Sequence, residues 1–231
     1  MERISLSWSR LSVFRDCPMK FDSQYVTKDY PDDSNNPAFK KGKEIHKQLE
    51  DYIVSHKDGK PDSSILGKYS VTAKPIIDAY VKYIGAESIV PENQIALNDD
   101  WEKVSWFDKE VKFRAIYDVI IRVSDTLIHL IDWKSGKFRE YDTDYGQLHL
   151  SATMIFAINP EVMEIISFYK YVEHSKTVKV TFKRDELYDD LKEHFEKEYQ
   201  EVQAAGKVDS FPAKKNKYCF FCKHPDCEFT P

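Results

Sequence analysis

The stretch Leu127-Ile128-His129-Leu130-Ile131-Asp132-Trp133-Lys134-Ser135-Gly136 carries an apolar run into an acid, one intervening residue and a lysine, and Gly136 then breaks the strand. Successive side chains of an extended chain point to opposite faces, so Asp132 and Lys134 emerge together. A carboxylate beside an ammonium at the end of a buried strand suits a metal ion and the water it activates. It equally suits a surface ion pair where a strand leaves its sheet. Three more residues bear on the choice. Asp118 stands inside an apolar strand, where an ionised carboxylate is rarely buried without a partner. His46 lies on an early helix four residues after Gly42, and Gln147 lies on the helix that follows the strand pair. Singly, such a histidine is usually structural and such a glutamine faces solvent. As a set they can serve phosphodiester hydrolysis. Asp118 and Asp132 offer carboxylates and the Trp133 backbone carbonyl a neutral oxygen, which suits Mg²⁺. The His46 imidazole suits Mn²⁺ as well, and Lys134 can orient water and stabilise phosphoryl charge.

The surrounding pattern supplies elements to position these groups. A helix is expected from Ser5 or Ser7 to Phe14 with Leu6, Leu11 and Phe14 on one face, stopped by Cys17-Pro18. Asp29 to Pro37 is a polar, proline-bounded loop. Helical periodicity runs from about Ala38 to His56 through Phe39, Ile45, Leu49, Tyr52 and Ile53, and a further helix from about Val71 to Ile84. Strands follow at Gln94–Leu97 and Lys103–Phe107 around Asn98-Asp99-Asp100. The clearest, from Val111 to Val123, sets Val111, Phe113, Ala115, Tyr117, Val119, Ile121 and Val123 on one face and pairs with Thr126–Trp133 as a hairpin. A helix from about Asp144 to Ala157, strands near Val162–Tyr171 and Thr177–Phe182, and a charged helix from Asp185 to about Ala205 complete the pattern. The fold class is α/β.

The formal net charge is -5, so the chain is not a globally basic DNA-coating protein. Clustered acids that hold cations are compatible with a local basic path for phosphates. Phe39-Lys40-Lys41-Gly42-Lys43 and Lys214-Lys215-Asn216-Lys217 are candidate segments for it, or solvated faces. No apolar run approaches the roughly 20 residues that span a bilayer. Met1-Glu2-Arg3-Ile4-Ser5 lacks the apolar core of a signal peptide. The expectation is a cytoplasmic protein with no membrane partner. No G-x4-GK-[ST] loop occurs, so ATP-driven unwinding by this chain is not expected.

The chain has four cysteines: Cys17, then Cys219, Cys222 and Cys227 in the tail. A reducing compartment argues against disulfides, and no strand-to-helix context supports a redox C-x2-C. Four thiolates suit Zn²⁺ and also an iron–sulfur cluster.

In the order of its motifs the chain resembles a RecB-type nuclease of the PD-(D/E)xK superfamily, nearly end to end. Gly42-Lys43-Glu44-Ile45-His46 resembles that family's GxxxH helix, whose histidine contacts metal. Arg114-Ala115-Ile116-Tyr117-Asp118 resembles the GxxD strand motif in its aspartate but not its glycine. Ile131-Asp132-Trp133-Lys134-Ser135-Gly136 matches the DxK motif, and Tyr145-Gly146-Gln147-Leu148 resembles the start of the QLxxY helix, with Ser151 in place of the tyrosine. The resemblance implies a restriction-endonuclease-like mixed sheet flanked by helices. It implies one nuclease domain over 1–231, with a core of about 38–205 and flanks of about 5–28 and 206–231. Asp118, Asp132, Lys134 and Gln147 become catalytic, His46, Asp118, Asp132 and the Trp133 carbonyl become ligands of Mg²⁺ or Mn²⁺, and Arg114 and Tyr145 join the lysines as DNA contacts. Leu11 to Phe21, around Cys17, is similar to the N-terminal cysteine segment of iron–sulfur nucleases, among them CRISPR adaptation nucleases and AddB-type subunits. One cysteine before the core and three after it then imply one 4Fe–4S cluster stapling the two flanks, with Zn²⁺ as the alternative. The activity implied is a metal-dependent DNA exonuclease acting on single strands or duplex ends, phage-encoded or alongside recombination, helicase or CRISPR adaptation partners. The alternative class is a nucleic-acid-binding or assembly subunit that uses the nuclease fold as scaffold.

Overall fold

The structure is a computed structural model that describes residues 3–31, 36–139, 144–224 and 227–230. The loop read from Asp29 to Pro37 lies partly outside them, at 32–35. Ser7 caps α1 (Trp8–Asp16) by accepting from the Arg10 amide, and the helix stops at Cys17, before Pro18 opens α2 (Pro18–Phe21). Leu6, which the periodicity sets on the helix face, precedes the cap and is extended, bridged to Phe113. Asn36 caps α3 (Pro37–Lys57), whose buried stripe is Ile45, Leu49, Tyr52 and Ile53. Phe39, read as part of that stripe, is 57% exposed. α4 (Ser70–Ile84) ends at Gly85, whose φ of +94° is open to glycine.

Strands β1 (Ile89–Leu97), β2 (Lys103–Val104), β3 (Phe113–Arg122), β4 (Leu127–Lys134), β5 (Glu164–Tyr171) and β6 (Lys176–Lys183) form a mixed sheet in the order β2-β1-β3-β4-β5-β6. β3 and β4 are antiparallel, as are β5 and β6, whereas β4 and β5 are parallel. A parallel pair needs a crossover, which α5 (Gly146–Ile158) provides; α6 (Arg184–Lys207) follows β6. The result is the expected α/β fold with a mixed sheet flanked by helices.

The chain forms two compact units. One comprises Met1–Asp33, Ala96–Ala115 and Lys192–Pro231. In it Phe113 packs against Trp101, Phe195 and Tyr199, and Phe21 against Phe14, Tyr25 and Phe211. The other comprises Ser34–Ile95 and Ile116–Leu191. Its core joins the α3 stripe to Ala73 and Ile77 of α4, Ile89 of β1, Val119 and Ile121 of β3, and Ile131 and Trp133 of β4. α5 is apolar and buried on nearly every side.

Arg184 fastens the end of α5 in this second unit. Its guanidinium donates to the carbonyls of Phe156 (2.7 Å), Asn159 (2.6 Å) and Val162 (2.7 Å), lying against the rings of Phe156 and Tyr188. Lysine cannot reproduce this fork. Arg184→Ala is expected to cost about 3 kcal/mol, since it strands several partly buried acceptors, and Arg184→Lys most of that; urea denaturation measures both.

Candidate active site

All the strongest sequence candidates lie in the second unit. The β3–β4 ladder pairs Val119 with Ile131 through Arg122 with Ile128. Past Val119, the Trp133 amide donates to the side chain of Asp118, at 2.7 Å from Oδ2. The carboxylate thus takes the place of a ladder acceptor. The expected alternation breaks at this point: Val119 belongs to the core cluster containing Ile45 and Leu49, while the Tyr117 hydroxyl donates to the Ser151 carbonyl of α5 at 3.0 Å. Asp118 Oδ1, meanwhile, lies 3.2 Å from His46 Nδ1 on α3.

Glu92 completes this group. Its Oε1 is 4.0 Å from His46 Nδ1, and the candidate ligand atoms of His46, Glu92 and Asp118 all fall within 4.8 Å of one another. Sequence reasoning missed Glu92 by starting the strand at Gln94, whereas β1 begins at Ile89. An acid inside a strand-forming run was the available signal. Glu92 also holds φ at +48°, a left-handed conformation that costs a non-glycine residue about 1–3 kcal/mol and is characteristic of functional sites.

Asp132 and Lys134 do point the same way, with the intervening Trp133 ring buried in the core. Lys134 Nζ is 2.7 Å from Asp132 Oδ2 and donates to Gln147 Oε1 at 2.8 Å, while Gln147 Nε2 donates to Asp132 Oδ1 at 2.5 Å. Gln147 therefore clamps both residues from the first turn of α5. Tyr169, a second residue unseen in the sequence, pairs in register with Asp132 from β5. Its ring centroid lies 4.3 Å from the Lys134 ammonium, and its hydroxyl donates to the Asp144 carbonyl at 2.9 Å. Only the parallel pairing of β4 and β5 brings it there.

The electrostatics describe crowded carboxylates. Burial pushes the Asp132 carboxyl up, and the charge of Asp118 adds to the rise against the pull of Lys134. Burial likewise raises Glu92, again with Asp118 contributing. Burial pulls His46 down, but its hydrogen bond to Asp118 and the charges of Asp118, Asp132 and Glu92 outweigh this and raise it to about 9. Asp132 Oδ2 is buried, and the Lys134 ammonium 2.7 Å away is its counter-charge. The imidazole of His46 and the carboxylate oxygens of Glu92 and Asp118, gathered within 4.8 Å, fit a divalent cation of the Mg²⁺ or Mn²⁺ kind.

Other sequence candidates are placed as follows. Lys43 lies over the Phe39 ring at 5.0 Å, and Lys41 pairs with Glu173 at 2.7 Å; Lys40 shares their helix. Tyr145 caps α5. In the first unit, Arg114 stacks on Trp106, Lys214 donates to the Arg15 carbonyl, Lys215 lies near the Phe229 ring and Lys217 near the Tyr218 ring. Cys17, Cys219, Cys222 and Cys227 line one cavity of about 400 Å³ in that unit. Among the described residues, no three of their sulfurs lie within 4.8 Å of one another. The Asn216 amide donates to Cys219 Sγ at 3.3 Å and the Tyr30 hydroxyl to Cys222 Sγ at 3.8 Å.

A sequence profile of the PD-(D/E)XK nuclease superfamily matches residues 5–229. The chain belongs to this superfamily. PD-(D/E)XK nucleases use divalent metals, and the His46–Glu92–Asp118 group is a donor set of that kind. No curated protein matches the sequence. Among solved structures, a "putative exonuclease" from Eubacterium rectale is similar at a TM-score of 0.60 and 10% identity, over 100% of this chain and 91% of that one. The structure of SSO0001 is similar at a TM-score of 0.40 and 10% identity, over 96% and 84% of the two chains. The first likeness is one of fold alone, and the second is too weak to carry an argument. No described helix is long and apolar enough to cross a membrane.

A metal ion needs a neutral imidazole, and in the metal-free protein His46 keeps its proton up to about pH 9. Mn²⁺ affinity, followed by calorimetry, should therefore rise with pH through this range. His46→Ala should flatten the slope and weaken binding by at least the roughly tenfold typical of losing an outer partner. Without metal the sign reverses: the raised pKa adds stability that is complete below about 6.5 and lost as pH climbs through about 9.

Proposed function

We propose that the chain is a divalent-metal-dependent deoxyribonuclease acting as an exonuclease on single strands or duplex ends. The observation that carries this reading is the convergence of Asp118, Asp132 and Lys134 with His46 and Glu92, within a chain of the PD-(D/E)XK superfamily. The neighbour described as an exonuclease supports the mode of attack. His46, Glu92, Asp118 and Asp132, with the Trp133 carbonyl, are the donors that would hold Mg²⁺ or Mn²⁺. Such an ion, when bound, supplies an activated water and positive charge for the phosphate. Lys134, fixed by Gln147, Asp132 and the Tyr169 ring, orients the water and meets charge growing on the phosphoryl oxygens. Gln147 holds Asp132 and Lys134 in one geometry, so neither has to reorganise during reaction.

Asp132→Ala and Lys134→Ala should each lower the cleavage rate of end-labelled DNA in Mg²⁺ roughly a hundredfold or more. Both should still bind DNA, because phosphate contacts are spread over many residues. Near-normal cleavage by either variant would sink the assignment.

We further infer a 4Fe–4S cluster on Cys17, Cys219, Cys222 and Cys227. The shared cavity supports it, as do the hydrogen bonds to two of the sulfurs. The cluster would join the tail to the end of α1, and its role is structural, since hydrolysis needs no electron. The site of action we propose is the cytoplasm, on DNA, in recombination, repair, phage DNA metabolism or CRISPR adaptation. Protein purified without oxygen should be brown, with about four irons per chain. Replacing any one of the cysteines by alanine should bleach it and loosen the tail to limited proteolysis. A colourless protein with one equivalent of zinc would overturn the cluster and leave the nuclease reading intact.

A further inference from the structure

Beside the His46–Glu92 pair lies an open cavity of about 540 Å³ in the second unit, lined also by Phe39, Lys43 and Ile116. The hydrolytic mechanism uses neither of its large apolar side chains. Phe39 is 57% exposed and Ile116 49% exposed, although each sits on an element that buries most of its large apolar residues. Phe39 precedes His46 by seven residues on α3. That is two helical turns, so both side chains share one face about 10 Å apart along the axis. Ile116 precedes Asp118 by two residues on β3. An aromatic and an aliphatic surface thus flank the candidate metal donors. The Lys43 ammonium lies 5.0 Å from the Phe39 ring centroid, at the same mouth.

Such a wall needs an occupant that is apolar on its faces and anionic along its edge. A nucleic-acid strand whose phosphate sits at the carboxylates meets both demands: the base lies against the apolar wall, and the neighbouring phosphate meets Lys43. Paired bases in a duplex are stacked on one another, so their faces are closed to a protein side chain; unpaired bases present theirs, and aromatic residues bind them irrespective of sequence. We infer that Phe39 and Ile116 hold unpaired nucleobases flanking the scissile phosphate, so that the site takes a single DNA strand or the frayed end of a duplex. The inference rests on the nuclease reading and assigns two positioning residues to it.

The test couples a side chain to a base. Wild type, Phe39→Ala, Phe39→Trp and Ile116→Ser are compared on a single-stranded oligonucleotide and on the same strand with abasic residues around the cleaved bond. Binding is measured in Ca²⁺ and cleavage in Mg²⁺. The substituted side chains are exposed, so thermal unfolding should be unchanged. Removing the bases should weaken wild-type binding about tenfold, the order expected for a lost stacking contact. Phe39→Ala should lose the same factor on the intact strand and nothing more on the abasic one, Ile116→Ser should follow it in smaller measure, and Phe39→Trp should restore binding. If the abasic and Phe39→Ala losses multiply independently, or if Phe39→Ala binds normally, the base-holding role is wrong, whatever the cleavage rate. If the coupling appears in binding but no DNA is cut in Mg²⁺ or Mn²⁺, the nuclease reading fails and the base-binding wall stands.

Discussion

Gathering like charges out of water is the constraint around which the second unit is organised. Glu92, Asp118 and Asp132 come from three different strands and repel one another, and burial adds to the cost of ionising them. The unit answers with partners for each, one of them shared. Asp118 takes the Trp133 amide and the His46 ring, Asp132 takes Gln147 and Lys134, and Glu92 shares the positive charge on His46. The balance stays incomplete. Glu92 and Asp132 remain raised even so. That deficit is what a divalent cation would relieve.

The first unit shows the contrasting case of a buried charge fully satisfied. Lys112 is 1% exposed and forms an ion pair with Glu196, and its ammonium lies 4.9 Å from the Tyr199 ring centroid. Burial alone therefore does not mark a site. The distinction lies in sign and surplus: one buried ammonium among rings and two acids is a packing solution, whereas three acids facing one imidazole and one ammonium leave negative charge to spare.

Backbone geometry carries the rest of the arrangement. Because β4 and β5 are parallel, α5 must return the chain across the sheet, and its first turn sets Gln147 between Asp132 and Lys134. Because the β3–β4 ladder yields at Asp118, a strand residue can spend its carboxylate on an amide and a helix histidine at once. The left-handed Glu92 costs stability that a purely structural strand would not carry. The Arg184 fork fastens the end of the buried α5, the helix whose first turn carries Gln147.

Much of this was legible in the residues themselves. Two-residue alternation is a property of any extended chain, so the shared direction of Asp132 and Lys134 followed from their spacing. The caps and prolines set the limits of α1 and α3, and the α3 stripe followed from helical period. Those are local rules, and they failed where a non-local partner intervened. Leu6 left its helix to bridge Phe113, and Phe39 stayed in solvent. The alternation of β3 broke where Asp118 accepted from the neighbouring strand. Glu92 and Tyr169 entered the site only through pairing: an acid inside a strand-forming run can be singled out by type, but neither it nor a tyrosine in an apolar run tells where the sheet will place it. Residue type and spacing determined which groups could do chemistry and which way adjacent ones point. Tertiary structure alone decided which strands lie side by side, and therefore which carboxylates meet, because register and crossover depend on contacts among residues far apart in the chain.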